Sequence, residues 1–297
     1  MAPARTLARE ARRDGPGLFS HLVSRVTLRP AGPGTGIVFH RADLPEQPVI
    51  PARVGHVFAA PRKTVLVPRP TDPSSGNLGV HTVEHLLSAL AAAGITDLHV
   101  EIFGAEVPML DGSSIGWVEA VREAGVKVLE AGGVEALVVR RPVRVEKGST
   151  WIEAHPLDAR AGAVSPPALD AEYRLDYGPG APIAPSSARF AVGLGGTTLE
   201  AYAREIAPAR TFATLDEALG MRKMGLFSHL REGDTLVIGP GGPVGTQYRL
   251  ADEAARHKVL DLIGDLALAG RPIVGRVVAS QSGHALNQEL AAALVNT

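Results

Sequence analysis

Two stretches of the chain carry metal-ligand side chains at one helical spacing. HTVEHLLSALAAAG (residues 81–94) and HKVLDLIGDLALAG (residues 257–270) keep a common register. His81 stands opposite His257, His85 opposite Asp261, Leu86 opposite Leu262 and Leu90 opposite Leu266, and Ala-Gly closes both. Residues four apart on an α-helix share a face one turn apart, so each copy offers two ligands. The pairing predicts a duplicated fold with one metal site shared between the copies.

Composition narrows what such a site contains. The chain has 297 residues, 45% of them hydrophobic, enough for two domains of ordinary size. Its formal charge of −1 argues against wholesale nucleic-acid binding, which a strongly basic balance would announce. With no cysteine, a metal must be held by histidine, aspartate or glutamate, and there are ten histidines to choose from. The opening MAPARTLAREARRD has no continuous apolar segment, and no later stretch reaches about 18 apolar residues, so the expected location is cytoplasmic without stable membrane insertion.

The elements that must position these residues follow from periodicity and punctuation. VSRVTLRPA and TGIVFHRADL read as strands, residues 81–94 as a helix stopped by Gly94, and residues 97–104 as a strand. Residues 114–126 read as an amphipathic helix with Ser114 available as its N-cap. The second half repeats this order. Strands fill EALVVRRPVRVEKGSTWIEAHP, the Pro/Gly-rich residues 156–185 read as loops, and the second helix copy begins near Asp252 and Glu253 and ends at Gly270 before Pro272. GRVVASQSG is a further strand, and residues 284–295 form a closing helix. Ala131–Gly133 interrupts the pattern and marks the expected boundary between domains 1–131 and 134–297. GPGGPVG, residues 239–245, lacks the Lys-Ser/Thr ending of a phosphate loop and carries two prolines, so it reads as a hairpin turn.

Taken by itself, HTVEH matches the H-x-x-E-H order of inverzincin peptidases, with His81 and His85 on zinc and Glu84 as base. That alternative leaves HKVLD without a purpose and needs an acidic third ligand, for which Glu153 is the candidate.

Five segments in order, VEHLLSALAAAGITDLHVEI, PMLDGSS, ARTF, RHKVLDLIGDLALAG and SGHALN, resemble the UDP-3-O-acyl-N-acetylglucosamine deacetylase (LpxC) family over nearly the whole chain. The resemblance implies a zinc site, with iron(II) as an alternative occupant, built from His85, His257 and Asp261. Two imidazoles and one carboxylate leave a fourth position for water, the pattern of a catalytic zinc. It also implies Glu84 as general base and His284 as general acid, paired with the carboxylate of Asp265 one turn beyond Asp261. Glu84 directly precedes His85, so on a helix it points about 100° away from the ligand direction. Lys258 and Thr211 are implied to stabilise the oxyanion, and Thr211 and Phe212 to contact substrate. That substrate would be a UDP-linked, 3-O-acylated N-acetylglucosamine of lipid A biosynthesis, and the enzyme a monomer.

Departures from the family pattern cluster away from the metal set. GLFSHLREGDTLVIG follows ARTF where the family has a Leu-Gly-Gly-Ser-type segment, which makes residues 226–245 atypical. Ala254 and Ala255 replace Phe-Val, His81 replaces serine, and Phe19 and His21 stand where histidine and glycine are frequent. These substitutions bear on the acyl passage and the sugar nucleotide. They leave room for a deacetylase of a different N-acyl sugar, and a non-enzymatic module that binds and keeps zinc is also compatible with the ligand set. The expected architecture is α+β: two structurally repeated domains, each with helices on a small, mostly antiparallel sheet, and the active site between them.

Overall fold

The computed structural model describes residues 2–157, 168–225, 227 and 233–297. The first half contains β1 (Ala2–Leu7), β2 (Ala11–Pro16), β3 (Val23–Pro30), β4 (Ile37–Arg41), β5 (Val49–Pro51), β6 (Val57–Phe58), β7 (Val65–Leu66) and β8 (Val80–His81). Helix α1 (Glu84–Ala92), β9 (Leu98–Phe103), α2 (Ile115–Ala124) and β10 (Val126–Val134) complete it. The second half contains β11 (Leu137–Val138), β12 (Val143–Lys147), β13 (Thr150–His155), β14 (Ala168–Leu175), β15 (Ser186–Gly193), α3 (Leu199–Glu205), β16 (Phe212–Thr214) and α4 (Leu215–Lys223). It closes with β17 (Leu236–Gly239), β18 (Gly242–Pro243), α5 (Glu253–Leu266), β19 (Ile273–Ser280) and α6 (His284–Val295).

The duplication is visible in the sheets. One has the strand order β2-β3-β9-β4-β5 and the other β12-β13-β19-β14-β15. In each, the central strand after the repeated helix runs antiparallel to one neighbour and parallel to the other, β9 to β4 and β19 to β14. Every other pairing in these two strand paths is antiparallel. The fold is therefore α+β with a repeated two-layer unit. Each copy carries an insertion before its repeated helix: the β6-β7-β8 sheet in the first, and α3 with the β16-α4-β17-β18 unit in the second.

Helices α1 and α5 pack on one another, and the aligned leucines Leu86, Leu90, Leu262 and Leu266 all belong to one buried cluster that spans both halves. Burying each contributes about 1.5–3 kcal/mol. Gly94 and Gly270 end the two copies in the left-handed region, at φ 68° and 70°. At Gly94 an added Cβ would also strike the backbone of Gly195 and Gly196.

Four expectations need correction. The loop reading of residues 156–185 fails at β14, where Leu169, Ala171, Tyr173 and Leu175 alternate inward, while Asp170 and Glu172 pair with Arg189 and Arg276 on the other face. Residues 158–167 lie outside the described residues. Ala131–Gly133 is not an interruption but strand: β10 runs through it and pairs with β1, Gly133 opposite Pro3. Ser114 precedes α2 without capping it, because its hydroxyl donates to the His85 carbonyl at 2.8 Å. Lastly, His81 is not on the repeated helix. It lies in β8 opposite Val65, Thr82 turns the chain at φ 57°, and α1 begins at Glu84. The hairpin expected at residues 239–245 is present, with Gly239 opposite Gly242.

Candidate active site

The N-terminal turn of α1 and the middle of α5 bring three buried candidate ligands together. Atoms of His85, His257 and Asp261 lie within 4.8 Å of one another. His85 Nε2 and His257 Nε2 stand 3.7 and 3.5 Å from Asp261 Oδ1, and the two rings meet edge to face. His257 Nδ1 donates to the Ala209 carbonyl at 3.0 Å, which leaves Nε2 with its lone pair directed at the cluster. Burial and the neighbouring His257 push the His85 pKa down to about 3, and burial also lowers that of His257. Both rings are thus neutral, as ligands must be. Burial alone would raise the pKa of Asp261, but Lys258, the two ligand histidines and His284 outweigh it and keep the carboxylate ionised. This donor set fits a divalent ion of the zinc class.

Glu84, next to His85 on α1, lies outside the three-residue cluster but borders the same cavity. Its carboxylate accepts from the Thr64 backbone N–H at 3.2 Å and lies 3.8 Å from His284 Nε2. Burial, with Asp265 and Asp261 adding to it against the pull of His284, raises its pKa to about 7. His284 opens α6, and its Nδ1 donates to Asp265 Oδ2 at 2.8 Å. Burial opposes charge on the ring, but Asp265 and Glu84 prevail and lift its pKa to about 9. Near neutrality Glu84 is therefore able to take a proton, while His284 stays protonated and able to give one.

Asp265, fully buried, accepts three hydrogen bonds: His284 and Asn287 on Oδ2, and the Thr64 hydroxyl on Oδ1 at 2.6 Å. Thr64 also accepts from Gln288 Nε2 at 2.8 Å, and Ser282 Oγ donates to the Asn287 side chain. Sequence reasoning singled out neither Thr64 nor Asn287. Asn287 sits inside the quoted SGHALN, one turn after His284, and that spacing was its signal. Thr64 had none, since its side-chain contacts join residues more than 200 positions apart.

Lys258 Nζ donates to Asp261 Oδ2 at 2.8 Å and lies 5.8 Å from the centre of the Tyr173 ring. Burial works against its charge, but Asp261 and Tyr173 raise its pKa well above the ordinary lysine value. Thr211 donates its hydroxyl to the Gly112 carbonyl at 3.2 Å, and its backbone N–H bonds the same oxygen at 2.7 Å. Phe212 packs edge-on to His257 and Tyr177. Glu84, His85, Thr211, Phe212, His257, Lys258, Asp261 and His284 border one cavity of about 500 Å³, and Asp265 stands behind His284. Leu215, Leu219 and Met221 of α4, with Val237, Val244 and Phe19, give it an apolar wall.

His81 and Glu153 lie elsewhere. His81 Nδ1 is 3.3 Å from Lys63 Nζ, and Glu153 pairs with Arg144 on the outer face of its sheet. Lys63 stands over the Phe19 ring, which meets Phe227. Ala254 and Ala255 are both buried. Within the atypical 226–245 segment, Leu226 and residues 228–232 lie outside the described residues.

The family model described as UDP-3-O-acyl N-acetylglycosamine deacetylase, LpxC, matches residues 4–296. The chain belongs to the LpxC family. LpxC relatives named UDP-3-O-acyl-N-acetylglucosamine deacetylase include one from Thermosynechococcus vestitus, 38% identical over 98% of this chain and 93% of its own length. Another, from Anaeromyxobacter dehalogenans, is 39% identical over 96% of this chain and 85% of its own. A third, from Chlamydia abortus, is 36% identical over 95% and 93%. The LpxC match spans both copies of the repeated unit, so it covers every residue of the site. No helix among the described residues is long and apolar enough to cross a membrane.

Proposed function

We propose that this protein is a zinc-dependent deacetylase that hydrolyses the acetamide of UDP-3-O-acyl-N-acetylglucosamine in lipid A biosynthesis, releasing acetate and leaving a free amine. The observation that carries this reading is the convergence of His85, His257 and Asp261 with Glu84 and the His284–Asp265 pair at one cavity. Residues 1–131 and 134–297 act as two domains that meet at this site, and the protein works as a cytoplasmic monomer.

His85, His257 and Asp261 hold the ion. When bound, zinc supplies Lewis-acid polarisation of the carbonyl and acidifies water at the site. Glu84 takes a proton from the attacking water as its oxygen bonds to the amide carbon. Lys258 and Thr211 stabilise the negative charge that gathers on the carbonyl oxygen, Thr211 by turning its hydroxyl from Gly112. His284, held by Asp265, gives a proton to the amide nitrogen as the C–N bond breaks. The apolar wall along α4 accepts the 3-O-acyl chain, and Phe212 lies beside the sugar.

The test is acetate release by the purified protein from UDP-sugars with and without the 3-O-acyl group. Turnover of the acylated N-acetylglucosamine, lost on chelation and restored by zinc, is the expected result. Turnover only of another N-acyl sugar would move the proposal to that substrate. Protein that retains zinc but releases no acetate from any of them would be a binding module.

A further inference from the structure

Thr64 touches the machinery of both proton transfers. It is completely buried immediately before β7, inside the insertion of the first copy. Its backbone N–H donates to Glu84 Oε2 at 3.2 Å, and its hydroxyl donates to Asp265 Oδ1 at 2.6 Å. The hydroxyl oxygen accepts from Gln288 on α6, and the Thr64 carbonyl accepts from Thr82 N just before α1. Helices α1, α5 and α6, which carry the base, the buried carboxylate and His284, are all tied to this residue.

We propose that Thr64 is a positioning residue that sets the Asp265–His284 pair in register with Glu84 across the two halves of the molecule. The inference rests on the roles given above to Glu84 and His284. A threonine hydroxyl has one proton, and Asp265 receives it. Because Oδ2 is held by His284 and Asn287, the bond to Oδ1 stops the carboxylate from rotating about its last torsion and fixes the plane of the His284 ring. Without the hydroxyl, a fully buried carboxylate oxygen and the Gln288 amide both lose a partner, and His284 is held by a carboxylate that can swing. The β-branch matters as well, since it limits χ1 and holds the hydroxyl in place.

The experiment uses the full-length, metal-loaded enzyme and the acylated UDP-sugar. Thr64→Val keeps the volume, the β-branch and the backbone N–H to Glu84 and removes only the hydroxyl, whereas Thr64→Ser keeps the hydroxyl. Thr64→Val is expected to lower kcat about 10- to 100-fold, with KM and metal content close to wild type, and Thr64→Ser to recover most of the loss. In a His284→Ala background the same Val substitution is expected to change kcat by less than about twofold, because effects of residues that act as a unit do not add. Wild-type kcat in Thr64→Val, or a full additive loss in the His284→Ala background, would overturn the role. Equal damage to kcat, KM and metal content, with Thr64→Ser no better, would make Thr64 merely structural. If Thr64→Val does not fold, Thr64→Ala is read in the same way. Failure of wild-type protein to release acetate marks the functional reading as wrong, whereas failure confined to these comparisons marks only Thr64.

Discussion

The backbone of Glu84 rests on Gly264. A Cβ at position 264 would overlap the Glu84 carbonyl oxygen and come within 2.8 Å of its carbonyl carbon. Glu84 is therefore seated against the segment of α5 between Asp261 and Asp265, where no side chain fits.

Gly264→Ala follows directly as a test. The obstruction is backbone that cannot turn aside, so the two helices must part. A destabilisation of at least about 1–3 kcal/mol is expected, with loss of acetate release beyond what the lowered melting temperature explains. An alanine protein with wild-type Tm and turnover would show that the helices do not need this contact.

The pH dependence has a defined sign. Glu84, at about 7, must be ionised to accept a proton, so kcat/KM rises with pH through its titration. His284, at about 9, must be protonated to donate one, so the rate falls as pH rises through that value. The expected profile is a bell whose limbs belong to the coupled pair, and the positive charge of a bound ion moves both to lower pH. Glu84→Gln should lower activity about 10²- to 10⁴-fold and abolish the rising limb. A rising limb that survives in the glutamine variant would have to come from another group.

Metal content separates the two readings of HTVEH. Asp261→Ala should purify with little zinc, and His81→Ala with a wild-type complement, because His81 sits beside Lys63 in β8 and not with His85. Elemental analysis of both proteins decides this. Zinc lost with His81 but kept without Asp261 would reinstate the peptidase.

Arg210 and Glu253 form an ion pair with side chains 1% and 0% exposed. Arg210 also bonds Thr246 and the carbonyls of Gly233 and Gln247, and so ties the loops around β17 and β18 to the start of α5. Arg210→Met leaves Glu253 without its cation and should cost about 3–5 kcal/mol in denaturant unfolding. Burial raises the Glu253 pKa, but hydrogen bonds from Arg210 and from the backbone of Arg249 overcome it and hold it below the usual range. The contribution is present above the unfolded value of about 4.3 and is lost as pH falls through the folded one. The methionine variant should therefore lose stability less steeply in acid than wild type.

What the sequence disclosed followed short-range pattern. The closing helix keeps its expected bounds at His284 and Val295, and two prolines and four glycines foretold the turn at β17 and β18. Strand β14 was hidden by its flanks. Leu169, Ala171, Tyr173 and Leu175 alternate cleanly, but the surrounding prolines and glycines give the whole stretch the look of a loop. Helix α4 is announced by TLDE, a capping box formed by Thr214 and Glu217 that is legible only once a helix is looked for there. His81 misled for the opposite reason. Helical periodicity extends back to it on paper, while its backbone is claimed by Ala105 and Val107, contacts that no local pattern encodes. The grouping of His85, His257 and Asp261 was implied by the likeness of VEHL and HKVLD to the family's motifs, whereas Thr64 belongs to an insertion present in one copy only.

Of the three residues proposed to hold the ion, two come from α5 and the third from α1, so on that reading metal affinity and the docking of the two copies are linked equilibria. Any ion that demands all three favours the docked arrangement by mass action, by about 2.7 kcal/mol at a free concentration a hundred times its Kd. Metal supply in the cell then does more than switch chemistry on. It gauges how firmly the halves of the molecule hold together, and a chelator is also a tool for prising them apart.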